Sequence, residues 1–212
     1  MARGRFITIE GGEGTGKTTQ VGLLVAALGR AGLTARATRE PGGSPGAEAI
    51  RRLLLEGEGG RWDAVGEALL LVAARHDHVT RLIEPSLAQG MWVVSDRFAD
   101  STLAYQGYGR NLALDELGAL HRFALGAFAP DLTLILDLPV EIGLARAAAR
   151  PIPADRFERL DRGFHERLRR GFLRIAEAES ARCVLIDASS DPQTVHRAAL
   201  DAVEQRLGVA SR

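Results

Sequence analysis

Gly11-Gly12-Glu13-Gly14-Thr15-Gly16-Lys17-Thr18 follows the spacing G-x-x-x-x-G-K-[ST], the pattern of a phosphate-binding P-loop. Its flanks are of the required kind. Phe6-Ile7-Thr8-Ile9 is an apolar run of strand length, and Thr19 to Arg30 carries an apolar stripe at helical spacing. In such a loop the glycines turn backbone N–H groups inward around a polyphosphate, and the following helix adds the positive end of its dipole. Lys17 reaches the β- and γ-phosphates, and Thr18 offers a hydroxyl to Mg²⁺. Lys17 is also the only lysine in the chain, every other one of the 27 basic residues being arginine. A compact ammonium is therefore retained at the one position where a guanidinium does not serve. The stretch implies a bound nucleotide, with residues 11–18 as its site.

Outward from the loop, the composition limits the choices. With 212 residues, 46% hydrophobic and 25% charged, the chain suffices for one well-cored domain. A formal net charge of zero argues against a nucleic-acid surface, and the longest apolar runs are strand-sized, with no transmembrane or signal segment. The single cysteine, Cys183, lies in an apolar strand and reads as an inert core thiol. The expectation is a cytoplasmic protein.

Strand and helix signals alternate along the chain. After the first strand and helix come a strand at Thr34–Thr38 and a helix opened by Ser44-Pro45 and carrying Ile50, Leu53 and Leu54. A break at 57–60 precedes a long helix from Ala64, perturbed near Pro85. Strands follow at Met91–Ser95, Thr133–Leu136 and Cys183–Ile186. Helical spacing links Leu114, Leu117, Leu120 and Leu125, then Phe157, Leu160, Phe164, Leu168 and Ile175, and Asp191-Pro192 caps a last helix. This predicts an α/β fold of the P-loop type: three layers, with a five-stranded parallel sheet between helices. Residues 146–159 have little apolar periodicity and read as a mobile lid on a single domain spanning 1–212.

In such a sheet ligands lie beyond the carboxyl ends of the strands. Those ends carry Arg39-Glu40, Asp96-Arg97, Asp137 and Asp187, with Arg51 and Arg75 on the helices that follow. Several arginines facing a P-loop suit a second, phosphate-bearing ligand, and Asp96 ends its strand where an acid orients hydrated Mg²⁺. Glu13, inside the cradle, must turn away from phosphate and would accept from a sugar hydroxyl or a metal-bound water. His76-Asp77-His78 is a poor metal site, because residues two apart on a helix do not face each other, and it reads as a solvated face.

Thr38-Arg39-Glu40-Pro41-Gly42-Gly43, followed by Asp96-Arg97-Phe98-Ala99-Asp100-Ser101-Thr102-Leu103-Ala104-Tyr105-Gln106-Gly107, strongly resembles the bacterial type of thymidylate kinase. The likeness extends over nearly the whole chain and is far more specific than the P-loop. It implies an enzyme that moves the ATP γ-phosphoryl group to thymidine monophosphate (dTMP) with Mg²⁺, in dTTP biosynthesis, and a homodimer packed through helices. Carried over by position, Arg97 and Arg39 would hold the acceptor phosphate with help from Arg51, and Arg75 would bond the thymine carbonyl. Ser101, Thr102 and Gln106 fall on the acceptor-binding surface, and Tyr105 lies where a ring excludes a 2′-hydroxyl. Glu13 and Glu40 would serve the sugar hydroxyl and the metal-water shell. The P-loop interior has no arginine, so the resemblance places the catalytic arginine in the lid, where Arg146, Arg150 and Arg156 stand, with Arg150 and Arg156 preferred. One position departs from the pattern: Leu71 replaces the usual phenylalanine that stacks on thymine. That leaves room for a kinase of dUMP, CMP or AMP as an alternative, and less for a non-catalytic nucleotide-binding protein. A GTPase is disfavoured, because its guanine reader needs a second lysine.

Overall fold

The computed structural model describes residues 2–56, 61–151 and 156–209. Five strands run β1 (Phe6–Gly11), β2 (Ala35–Arg39), β3 (Trp92–Asp96), β4 (Leu132–Asp137) and β5 (Cys183–Asp187). They form one parallel sheet in the order β2-β3-β1-β4-β5. The expected α/β architecture and strand count are therefore present. In register, Arg39 and Ile9 both lie beside Asp96, and Gly11 lies beside Leu136. The connection from β1 runs toward the β2 edge of the sheet, whereas those from β3 and β4 run toward the β5 edge, and this reversal opens the crevice used by α/β folds.

Alternation along β1 explains both faces. Ile7 and Ile9 point toward α1 (Lys17–Arg30) and α9 (Pro192–Leu207), joining Leu24, Leu28, Val94 and Val203 in one core. Phe6 points the other way, onto Ile83, Leu87 and Phe98. Thr8 and Glu10 share that second face and are fully buried, so their polar atoms must be paired within it. The Thr8 hydroxyl meets that of Thr133 at 2.8 Å, and Arg182 donates to both carboxylate oxygens of Asp100 at 2.7 and 2.8 Å.

Helices α2 (Pro45–Leu55) and α3 (Ala64–His78) pack together beside β2. The Ser44-Pro45 start is where expected, but the capping oxygen is not that of Ser44. Asp77 of α3 accepts from the N–H groups of Gly46 and Ala47 at 3.1 and 3.3 Å and from the Ser44 hydroxyl at 2.6 Å. A π-helical stretch, Val79–Ile83, joins α3 to α4 (Glu84–Ala88), widening the helix just ahead of Pro85, which has no N–H to offer. Two helices were not read from the sequence: α5 (Ala99–Thr102) with its π-helical continuation Leu103–Gly109, and α7 (Val140–Ala148). Helix α6 (Leu114–Leu125) matches its leucine spacing. Helix α8 (Arg162–Ala178) begins later than that pattern suggested, since Asp161 caps it on the Phe164 N–H at 2.9 Å. Phe157 and Leu160 thus precede the helix. Asp191 caps α9 as expected, accepting from the N–H groups of Gln193 and Thr194.

Residues 146–148, read from the sequence as the start of a lid, continue α7. Arg146 lies within α7 and donates to the carbonyls of Ala188 and Ser189 at 2.9 and 3.1 Å. The break at 57–60 and the residues 152–155 lie outside the described residues. Among the described residues no helix is long and apolar enough to cross a membrane. Cys183 is buried against Phe172 and Ile175, and burial with the nearby Asp100 carboxylate pushes its thiol up to about 12.

Candidate active site

The P-loop turns between β1 and α1 with Gly11, Gly14 and Gly16 at positive φ. Space as well as φ demands glycine at position 14: a Cβ there would lie 2.0 Å from the Gly143 carbonyl oxygen. Reciprocally, a Cβ on Gly143 would lie 2.4 Å from the Glu13 carbonyl oxygen, so α7 supports the loop through a contact only glycine permits. The Lys17 ammonium donates to the carbonyls of Gly11 and Gly12 at 3.1 and 2.6 Å. Burial, and then the Arg97 charge, lower its pKa to about 8. The Thr18 hydroxyl donates to Asp96 Oδ2 at 2.6 Å, and Thr15 closes the turn on the Gly12 carbonyl.

Beyond β3 the chain turns sharply, and Arg97 adopts a φ of 71°. Its guanidinium donates to the Gly11 carbonyl at 3.0 Å, to the Ser101 hydroxyl at 3.3 Å and to Glu13 Oε1 at 3.0 Å. It also lies 4.9 Å from the Tyr105 ring centroid, and the Tyr105 hydroxyl donates to Glu13. Burial alone would raise the Glu13 pKa, but Arg97, Lys17 and Tyr105 together hold it at about 2.

One cleft collects Glu13, Glu40, Arg51, Leu71, Arg75, Arg97, Ser101, Thr102, Tyr105 and Gln106. Pro41, Leu54, Leu55, Phe98 and Phe157 complete its lining and were not singled out in the sequence, although the apolar pair at the end of α2 was available as a signal. Arg39 is not brought in. Its side chain is 55% exposed and pairs with Glu48 at 3.1 Å. Arg51 donates to the Pro41 carbonyl at 2.7 Å. Arg75 is buried, donating from Nε to Glu40 Oε2 at 2.7 Å and from Nη2 to Thr102 at 2.9 Å and the Phe98 carbonyl at 3.1 Å. Glu40 thus braces Arg75, and its other oxygen meets His78 Nδ1 at 3.0 Å. This is a different employment from the metal-water shell. Of residues 76–78 only His76 is the solvated position expected: His78 is fully buried between Glu40 and Thr38, and Asp77 caps α2. Among the described residues no group of three or more His, Cys, Asp or Glu side chains could hold a metal ion.

The two preferred lid arginines have different partners. Arg150 donates to the Ala147 carbonyl at 3.2 Å and pairs with Glu158. Arg156 is buried, 2.8 Å from Glu67 Oε1 on α3, with its guanidinium over the Phe157 ring. Glu67, missed in the sequence, also receives Gln106 Nε2 at 3.0 Å and Arg110 Nη2 at 3.2 Å.

The chain as a whole is similar to known proteins. The family model described as thymidylate kinase matches residues 9–199. A thymidylate kinase of Caulobacter vibrioides is 54% identical over 209 residues, covering 99% of this chain and all of that protein. One from Rhodopseudomonas palustris is 57% identical, covering 97% of this chain and 90% of that protein. The crystal structure of thymidylate kinase from Ehrlichia chaffeensis superposes with a TM-score of 0.76 at 33% identity, covering 95% of this chain and 99% of the other.

A second missed carboxylate, Glu10, sets the response of the site to pH. Glu10 Oε1 accepts the Phe98 N–H at 2.7 Å and Oε2 shares a 2.6 Å hydrogen bond with the Ser101 hydroxyl, so it holds the turn that carries Arg97. Burial and the Asp100 carboxylate raise its pKa to about 8. Above the unfolded value of 4.5 the native state keeps a proton that the unfolded chain releases, so stability falls as pH rises toward 8. Glu13 acts oppositely, losing its contribution only as pH falls from 4.5 toward 2, and Lys17 adds stability only from about 8 upward. Between pH 5 and 7.5, Glu10 therefore dominates among these three, costing up to about 3 kcal/mol. Thermal unfolding across that window should show a decline in Tm that Glu10→Gln flattens; parallel slopes would show that Glu10 ionises normally.

Proposed function

The chain belongs to the thymidylate kinase family, and from that premise we propose how its residues divide the work of the reaction. It transfers the γ-phosphoryl group of ATP to dTMP, giving dTDP and ADP. An acceptor of another base is not favoured by these relationships. A phosphate oxygen of dTMP attacks the γ-phosphorus as the bond to the β-phosphate oxygen breaks. The attacking oxygen is already anionic, so positioning and charge are what the protein must supply.

The observation that carries the assignment is the Arg97 guanidinium seated on the Gly11 carbonyl and Glu13, at the lip of the P-loop. A phosphate held by Arg97 and Arg51 faces the phosphates held by residues 11–18 and Lys17. Arg39, paired with Glu48 outside the cleft, would have to leave that exposed ion pair to join them. The Thr18 hydroxyl and Asp96 carboxylate, 2.6 Å apart, are hard oxygen donors and fit Mg²⁺ directly or through its waters. Held by these two groups, Mg²⁺ would offset negative charge on the ATP phosphates. Glu13, deprotonated and aimed by Arg97, accepts from the sugar 3′-hydroxyl, while the Tyr105 ring occupies the space of a 2′-hydroxyl. Arg75 donates to the base carbonyl, Gln106 accepts from N3–H, and Leu71 covers the base face. We place the reaction in the cytoplasm, on one domain with the lid after Ala148.

A homodimer is supported by exposed apolar side chains on two packed helices, Val65 and Leu69 on α3 and Phe123 on α6, the last 89% exposed. Phe123→Asp should shift the sedimentation of the protein toward the monomer; an unchanged dimer would move the interface elsewhere.

Because Arg156 is committed to Glu67, Arg150 is the lid arginine free to exchange Glu158 for the transferring phosphoryl group. Arg150→Ala should lower kcat by roughly 10³-fold or more with the KM for ATP little changed. Arg156→Ala should act mainly on dTMP. A kcat loss confined to Arg156→Ala would reverse the assignment. Leu71→Phe adds a stacked ring worth about 0.5–1.5 kcal/mol over leucine, lowering the KM for dTMP about 2- to 10-fold at constant kcat. An unchanged KM would show that residue 71 does not meet the base.

A further inference from the structure

Glu67 is fully buried in the third helix, in a part of the wall where no catalytic step needs a carboxylate. Its two oxygens are shared unequally. Oε1 accepts from Arg110 at 3.2 Å and pairs electrostatically with Arg156 at 2.8 Å, while Oε2 accepts from the Gln106 amide at 3.0 Å. Both oxygens are engaged by donors. Glu67 is therefore an acceptor, and the Gln106 amide must present NH₂ to it. The Gln106 carbonyl oxygen is left buried without a hydrogen-bond partner, on a residue that lines the cleft. An amide free to turn would offer either polarity to a ligand. This one offers only an acceptor.

We propose that Glu67 is a positioning residue that fixes the polarity of base recognition, making the pocket demand an N–H at position 3 of the pyrimidine. The inference rests on the reading of Gln106 as the residue that meets N3. Thymine and uracil satisfy the demand, and cytosine, whose N3 is an acceptor, leaves two acceptors facing each other. Arg156 brings the lid into the same carboxylate, so the residue that sets the polarity is also braced by the lid.

The test uses the full-length enzyme with dTMP and with the 2-pyrimidinone deoxynucleotide monophosphate, whose N3 is unprotonated and which lacks the 4-substituent that Arg75 reads. In Glu67→Gln the two guanidinium groups claim the new amide oxygen, so its NH₂ turns to Gln106. Gln106 then gives its oxygen to residue 67 and its NH₂ to the base. The ratio of kcat/KM for dTMP to that for the analogue should fall by about 10-fold or more, the cost of one mismatched hydrogen bond. Equal losses on both substrates would mean a purely structural role and overturn the proposal. Gln106→Ala separates the two layers. If it leaves the ratio at the wild-type value, the reading of Gln106 is wrong; if it abolishes the ratio while Glu67→Gln does not, only the inference fails. Should Glu67→Gln not fold, the Gln106 side-chain amide of the wild type decides by ¹⁵N–¹H NMR. Its NH₂ signals should hold nearly constant when dTMP is added, being bound to Glu67, and a large shift would show that NH₂ meets the base.

Discussion

A carboxylate inside a polyphosphate cradle is the constraint on which this structure turns. Glu13 sits among backbone groups meant for anions, and it is tolerated because Arg97, Lys17 and Tyr105 converge on it. Bringing Arg97 there costs the chain a positive φ directly after β3, a conformation that a side-chain-bearing residue holds only when its surroundings compel it. The compulsion is visible: the Arg97 N–H donates to the Ile9 carbonyl at 3.0 Å, and the next N–H, of Phe98, goes to Glu10. One charge pair therefore fixes the P-loop, the end of β3 and the start of α5 with respect to one another.

Much of the frame is legible in the sequence, because buried strands and capped helices are local signals. The five strands and the Asp191 cap depend on near neighbours, and they stand where periodicity puts them. The failures share a cause. Helix α5 and its continuation hold glycines and polar residues whose burial is decided by β1 and α8, so no apolar stripe announces them. The cap on α2 comes from Asp77, over thirty residues away in the chain, and no window around Ser44 contains it.

At the site, the rule that ligands gather at strand ends found the residues facing the cleft, and the family resemblance supplied their roles. It could not find the carboxylates behind them. Glu10 alternates with Thr8 on a strand and Glu67 follows a helix start, so each reads as an ordinary polar position. Only the tertiary structure shows that Glu10 carries the Arg97 turn and Glu67 the Gln106 amide. His78 was misjudged for the same reason, since its burial depends on Thr38 and Glu40. Arg39 shows the converse: it stands at the right strand end, yet a nearby glutamate on α2 claims it.

The solitary lysine has a practical consequence. The chain owns one side-chain amine, and that amine lies in the nucleotide cradle with a pKa near 8 in place of the usual 10.5. At pH 8 about half of it is the neutral nucleophile, against less than about 1% for a solvated lysine. Amine-acylating reagents thus have a single side-chain amine to modify, and a nucleotide bound at the proposed site would both cover it and favour its protonated form. Mass-spectrometric footprinting of Lys17 becomes a one-peptide gauge of cradle occupancy, with the α-amino group as the internal standard.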